Sequence, residues 1–190
     1  LYYSEMETDS LKNLLRNLIY QNDQDSQLTV LTKLITTNVV GESISNWLKF
    51  TILPQINIDV ITNVVKNIGE EYASGDFSVK TAILKHIDRF LKLTPQVDVR
   101  SAFISSVVES LSELNDDLLK EGSETVKEYT ISLIALLAYV SKYDLIFHED
   151  WAKYQPILDY KFRMLNEYDF GEDQAEINDL LAEINSYWTP

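Results

Sequence analysis

The sequence predicts an all-α fold. Apolar residues recur at intervals of three and four along most of the chain, which is the spacing of one face of an α-helix. Alternation at intervals of two, the pattern of a strand, is weak throughout. The five glycines and four prolines fall mostly between the periodic segments. We therefore predict about nine helices in antiparallel pairs, joined by short loops. The predicted helices cover residues 10–20, 26–38, 42–53, 58–73, 78–93, 97–119, 123–142, 149–167 and 172–187.

Capping and helix-breaking residues set the boundaries in the first half of the chain. Thr8 or Asp9 is the expected N-cap of the first helix, because short polar side chains accept bonds from free amides there. A polar loop at residues 22–25 precedes the second helix, and Gly41 follows it. Pro54 ends the third helix, since proline disfavours helical geometry in the residue before it.

Glycine and proline also delimit the later helices. Gly75 is the expected left-handed stop of the fourth helix, Pro95 closes the fifth, and Gly122 precedes the seventh. The seventh helix is apolar nearly all round, so we expect it at the buried centre. Pro156 lies inside the eighth, which predicts a kink or a short helix before a longer one. Gly171 is the expected end of the eighth helix.

The helix-pair spacing favours a repeat architecture. Odd-numbered helices start near residues 10, 42, 78 and 123, at intervals of about 32, 36 and 45 residues. The tetratricopeptide pattern and the ankyrin Thr-Pro-Leu-His string are absent. The spacing and the apolar faces resemble HEAT- or armadillo-type α-solenoids across residues 8–187. The resemblance implies a superhelix of stacked helix pairs, and an irregular helical bundle is the alternative.

Composition limits the class of protein. A chain of 190 residues suffices for one domain, which we place at residues 8–187, and Leu1 in place of methionine indicates a fragment of a larger protein. The absence of cysteine excludes disulfides and cysteine-built metal sites. No apolar run approaches the ~20 residues of a membrane span, and no secretory signal is visible. We expect an intracellular protein, cytoplasmic or nuclear, with no membrane partner.

One triplet, Asp169-Phe170-Gly171, matches the metal-binding motif of protein kinases. A kinase also needs a glycine-rich loop, a strand lysine and a His-Arg-Asp loop upstream of the triplet. None of these is present, and 19 residues follow Gly171, too few for the rest of a kinase lobe. We interpret the triplet as a turn, with Asp173 capping or starting the ninth helix.

Residues suited to catalysis or metal binding are sparse. His86 and His148 are far apart and form no His-Glu-x-x-His signature, so a surface or capping role is expected for each. Paired carboxylates such as Asp116-Asp117 lie at predicted helix ends rather than in a pocket. We therefore expect no enzymatic activity, no bound metal and no cofactor.

The fifth predicted helix carries a basic stripe. Lys85, Arg89 and Lys92 are spaced by four and three residues and share one face. In a chain of net charge −14, this stripe is a candidate binding surface for an acidic peptide, a phosphate-bearing partner or an acidic helix of a second copy. Aromatic residues do not interleave with the stripe, as nucleic-acid binding would favour.

The ninth predicted helix carries an acidic row. Glu172, Glu176, Asp179 and Glu183 are spaced by four, three and four residues, which places them on one face. Residues 164–190 contain no lysine or arginine. The row is a candidate surface for a basic ligand, and a solvated face that aids solubility is the alternative.

These features predict a protein-binding module. We expect a non-catalytic scaffold or adaptor domain of a larger intracellular assembly, whose protein partner is a peptide or helix. The alternative is a nucleic-acid-associated subunit that contacts RNA or DNA through the basic stripe.

Overall fold

The computed structural model describes residues 2–37 and 41–189, with side chains from residue 8 onward. The all-α prediction is confirmed, because within these ranges the chain forms helices and no strand. The α-helices are α1 (Tyr2–Tyr20), α2 (Gln24–Thr36), α3 (Glu42–Trp47), α4 (Ile58–Ser74), α5 (Phe77–His86), α6 (Asp88–Leu93), α7 (Val97–Glu113), α8 (Asp116–Lys120), α9 (Glu124–Lys142), α10 (His148–Glu167) and α11 (Gln174–Trp188).

Three short helical turns complete these elements. A π-helical turn at Leu48–Ile52 and a 3-10 turn at Leu53–Gln55 follow α3 directly. A third turn, of 3-10 type, spans Gly171–Asp173 before α11. The predicted third helix is therefore a composite of three helical geometries.

Two predicted helices are divided in the structure. The fifth breaks at Ile87, which lies between α5 and α6 with a near-helical backbone. The sixth ends at Glu113, and α8 starts anew because the Asn115 side chain accepts a bond from the Leu118 amide at 2.8 Å. Asparagine at this position satisfies an amide that the first turn leaves free.

Other predicted boundaries were wrong in detail. α1 begins at Tyr2, so Thr8 and Asp9 lie within the helix and are not its N-cap. The predicted end of the second helix, Asn38, lies outside the described residues. Gly75 follows α4 with φ −78°, so it is not a left-handed stop.

At Pro156 the structure contradicts one of the two predicted outcomes. α10 continues through this residue as one helix, so the predicted short helix before a longer one is absent. Proline lacks an amide hydrogen, so one helical hydrogen bond is lost at this exposed position.

The helices pack in two rows. Neighbour contacts connect α2, α5, α9 and α11 in one row, and α4, α7 and α10 in the other. Successive long helices alternate between the rows, and α1 packs against α2 at one end. The start of α5 meets the start of α9, where Phe77 lies 4.9 Å from Tyr129, ring centroid to ring centroid.

A continuous apolar core runs between the rows, from Leu15 to Ile184. α9 contributes more buried residues than any other described helix, including Leu133 and Leu137, which confirms its predicted central position. One polar pair inside this core joins α4 to α7: the Tyr72 hydroxyl and Ser110 Oγ are 2.7 Å apart. Among the described helices, none is long and apolar enough to cross a membrane.

α11 closes one end of the core through its last turn. The Trp188 ring stacks on Trp151 at 4.4 Å between centroids, and its Nε1 donates to Ser141 Oγ at 2.9 Å. The C-terminal ends of α9 and α11 therefore lie at the same edge of the molecule.

Candidate interaction surface

The basic stripe lies where several helices end. Lys85 occupies the last turn of α5, while Arg89 and Lys92 belong to α6. Lys85 and Lys92 are exposed, and Arg89 is half-buried. Cations in the last turn of a helix are favourable next to its free carbonyl groups, which accounts for part of this arrangement.

Neighbouring elements add further cations and aromatic rings. The π-helical turn contributes Lys49 and Phe50, and the end of α9 contributes Tyr139, Lys142 and Tyr143. We call the following set the basic–aromatic patch: Lys49, Phe50, Lys85, Arg89, Lys92, Tyr139, Lys142 and Tyr143. Sequence spacing did not reveal this set, because its aromatic members come from segments distant from the stripe.

Cations lie over the aromatic rings of the patch. The Arg89 guanidinium is 5.1 Å from the Phe50 ring centroid, and Lys92 Nζ is 3.9 Å from that of Tyr143. Lys142 Nζ approaches the Tyr143 ring at 5.7 Å. Phe50 nevertheless remains 62% exposed. A large apolar side chain with this exposure, framed by cations, is a suitable anchor for a partner.

Tyr139 lies between Arg89 and Tyr143 within the patch. Its side chain lies beside that of Arg89, and its ring centroid lies 4.7 Å from that of Tyr143. Burial raises the pKa of Tyr139 to about 12, so its hydroxyl stays protonated at neutral pH. The contact holds Arg89 in place against α9.

The cations of the patch differ in whether a carboxylate lies next to them. Lys49 Nζ lies 2.8 Å from Asp88, and Lys85 forms a salt bridge with Glu128. Arg89, Lys92 and Lys142 have no carboxylate within 4.0 Å among the described residues. Arg89 Nε is also buried without a hydrogen-bond partner. The patch therefore has a local excess of positive charge that the fold leaves unpaired.

His86 lies beneath this surface, contrary to the predicted surface or capping role. The residue is 6% exposed, and Nδ1 is 2.8 Å from Ser45 Oγ on α3. Burial, together with nearby Lys49, lowers the pKa of His86 to about 4. The histidine is a neutral part of the core, where α3 meets α5.

The acidic row lies at the surface, but the structure divides it: Glu172 belongs to the 3-10 turn at Gly171–Asp173, and the other three acids lie on α11. Glu172, Glu176 and Asp179 are exposed and Glu183 is half-buried, while Ile177, Leu181 and Ile184 face the core. Within the described part of the chain, no salt bridge reaches any of the four carboxylates. The structure does not bring the acidic row into ionic contact with the basic–aromatic patch of the same molecule.

The kinase-like triplet forms a turn, as interpreted from the sequence. The Gly171 amide donates to Asp169 Oδ1 at 2.9 Å, and Gly171 has φ +63°. Phe170 is buried, and its amide donates to Gln174 Oε1 at 2.9 Å. α10 ends earlier, at Glu167. Asp173 takes the N-cap position of α11, although its side chain makes no capping bond.

An open groove lies between α4 and α7. Its volume is about 560 Å³, with Val65, Val99 and Phe103 among its apolar lining and Glu70 and Asp98 beside them.

The second histidine, His148, lies away from this groove, at the start of α10, and its ring centroid is 5.3 Å from that of Trp188. Across the described residues, no three His, Cys, Asp or Glu side chains are grouped so that they could hold a metal ion.

Comparison with known proteins does not assign the chain to a family. No protein-family model, curated protein or solved structure matches the chain. Functional inference therefore depends on the surfaces described above.

Proposed function

We propose that the protein is a non-catalytic scaffold or adaptor in an intracellular assembly, and that it binds an acidic segment of a protein partner at the basic–aromatic patch. One observation carries the proposal: three unpaired cations, Arg89, Lys92 and Lys142, adjoin exposed aromatic rings in a chain of net charge −14. Arginine and aromatic side chains are enriched among residues that dominate interface energies.

The distribution of charge favours a short acidic segment. At physiological salt the Debye length is about 8 Å, so a ligand on the patch is affected mainly by nearby charges. A peptide with a few carboxylates can lie within the patch. A longer polyanion extends beyond it onto a surface that is acidic overall.

The two helical rows support a HEAT-like scaffold. Successive helices of such an array alternate between two layers, and helices within a layer run in the same direction. Here the start of α5 meets the start of α9, and the ends of α6 and α9 meet through Lys92 and Tyr143. This shared direction suits an extended surface on which partners bind along the row.

Nucleic acid is the second candidate ligand, because Phe50 and Tyr143 could stack on bases beside the cations. The duplex carries one negative charge per about 1.7 Å of helix axis, so repulsion by the surrounding acidic surface counts against it. A single strand of few nucleotides experiences less of this repulsion, because it carries fewer charges beyond the patch.

Affinity capture from cell extract tests the proposal. The wild-type chain is compared with the double variant Lys85→Glu/Lys92→Glu, which reverses two exposed patch cations. The matched control is Lys33→Glu/Lys153→Glu, which makes the same charge change at exposed lysines on α2 and α10. We expect protein partners, identified by mass spectrometry, to be retained by the control and lost from the patch variant.

Nuclease treatment of the extract separates the two candidates. Capture that survives nuclease digestion and depends on the patch supports protein binding. If nuclease abolishes it, the nucleic-acid candidate replaces the proposal. Equal capture by wild type and patch variant would remove the patch from the function.

A further inference from the structure

We propose that the basic–aromatic patch binds the α11 part of the acidic row, Glu176, Asp179 and Glu183, of a second copy of this chain. This inference rests on the proposed function, since it names an occupant for the same surface. The patch has an excess of unpaired cations, and the row has four carboxylates that no cation reaches within the described molecule. Each surface thus carries the charge that the other lacks.

The spacing of the two charge sets is complementary. Lys85, Arg89 and Lys92 are separated by four and then three residues, and so are Glu183, Asp179 and Glu176 when read backwards. An antiparallel approach of α11 therefore aligns Lys85 with Glu183, Arg89 with Asp179, and Lys92 with Glu176. Glu176 and Glu183 lie on one helix, seven positions and about 10 Å apart at 1.5 Å per residue. Lys85 and Lys92 are also seven positions apart, on α5 and α6, and Ile87 between these helices keeps a near-helical backbone.

The surroundings of the acidic row also permit close approach. Ala175 and Ala182 precede Glu176 and Glu183 and are exposed, so small side chains flank the carboxylates. Phe50 and Tyr143 project beside the cations of the patch. The Phe50 and Tyr143 rings of one copy can therefore pack against Ala175 and Ala182 of the other copy while the charged side chains pair.

Intramolecular pairing does not compete strongly with this contact. The salt bridge between Lys85 and Glu128 joins two side chains that are about half-exposed, at 42% and 53%. Exposed pairs of this kind contribute little to stability and exchange readily. Because the patch and the row are different surfaces, the contact joins copies head to tail, giving either a closed ring or an open chain.

Sedimentation equilibrium at low and high salt tests the inference on the full chain. We expect wild type at 20 mM salt to form species above the monomer mass of 21.9 kDa, and 500 mM salt to dissociate them. Lys85→Glu/Lys92→Glu and Glu176→Lys/Glu183→Lys should each weaken self-association by at least about tenfold, because like charges then face each other. The control Glu109→Lys/Asp159→Lys, at exposed sites on α7 and α10, should associate as wild type does.

Mixing the two charge variants provides the decisive measurement. Each retains one intact surface, and their reversed surfaces complement each other, so the mixture should associate although neither variant does alone. Both variants keep a negative net charge, so general attraction does not explain association in the mixture. Circular dichroism establishes that each variant is folded.

A wild-type chain that stays monomeric at low salt overturns the inference, as does a mixture that fails to associate. If the monomeric chain still captures partners through the patch, the proposed function stands and the second-copy inference alone fails. If patch-dependent capture is lost as well, both fail.

Discussion

At the scale of single residues, burial changes what two side chains can do. His86, the last residue of α5, is covered by α3 and stays neutral, whereas the Arg89 guanidinium, three residues later, lies over the Phe50 ring. A histidine beside an apolar face gave no signal in the sequence that its ring would be buried. The difference arises because α3 covers His86 through Ser45, whereas Arg89 is half-buried beside the exposed Phe50 ring.

The buried histidine predicts a pH-dependent stability. The folded-state pKa of His86 is lowered to about 4, below its unfolded value of about 6.5. As pH falls below 6.5 the unfolded chain takes up the proton first, so the stabilisation present above pH 6.5 is lost towards pH 4. Between pH 7 and pH 5, the free energy of unfolding of wild type should fall by about 2 kcal/mol more than that of His86→Gln.

Urea unfolding of both proteins at each pH measures this difference. Carboxylates titrate in both chains, so the comparison isolates the histidine. Between pH 7.5 and pH 8.5 the two proteins should change in parallel. Identical pH dependence from pH 7 to pH 5 would show that His86 is protonated equally in the folded and unfolded chain.

At the scale of helices, sequence signals succeeded where the responsible group is local. The breaks predicted at Gly122 and Gly171 both carry a positive φ, at 64° and 63°. The break before α8 was not predicted, although Asn115 offers a local N-cap side chain there. The break at Ile87 has no such signal, because apolar spacing continues through Ile83, Ile87 and Leu91 and neither glycine nor proline intervenes. Packing against α4 and α9 accompanies this break, and a single-helix pattern does not contain that information.

Two glycines should respond in opposite directions to alanine substitution. Gly171→Ala forces a side chain into left-handed geometry and should lower the free energy of unfolding by about 1 kcal/mol. Gly69 lies inside α4, and a Cβ there would meet nothing within 4 Å. Gly69→Ala should therefore raise the free energy of unfolding by roughly 0.5–1 kcal/mol, because alanine favours a helix more than glycine does.

Thermal and urea denaturation of the two variants test the two predicted stability changes. Each serves as the control for the other, since both add one methyl group. A loss of stability in Gly69→Ala would indicate that the groove between α4 and α7 does not tolerate the added methyl.

The docking of α11 should depend on its last turn. Trp188→Ala removes the stacking on Trp151 and the bond to Ser141, and we expect a loss of about 2 kcal/mol for this half-buried ring. Trp188→Phe keeps an aromatic ring but loses the donor, so a loss of about 1 kcal/mol is expected.

Hydrogen exchange measures which helices lose stability in Trp188→Ala. Amides of α11 should exchange faster in Trp188→Ala, while those of α4 should change less, because α11 can open locally from the end of the row. Uniform acceleration across both helices would show instead that α11 unfolds with the whole molecule.

At the scale of the whole molecule, two rows of alternating helices are compatible with a stacked array and with an irregular bundle. Contacts join α2, α5, α9 and α11 in order along one row, and α4, α7 and α10 along the other. Sequence spacing predicted the helix pairs but left the array and the bundle open, because both use the same apolar faces.

The proposed array predicts the solution dimensions of the chain. A compact domain of 190 residues has a radius of gyration of about 16 Å, and a stack of helix pairs with the same mass should exceed that value. Small-angle X-ray scattering at 500 mM salt, where charge-dependent association is screened, measures the monomer. The distance distribution should be asymmetric with a long tail. A radius near 16 Å with a symmetric distribution would favour the irregular bundle. It would also shorten the row along which partners could bind, and confine recognition to the basic–aromatic patch and the acidic face of α11.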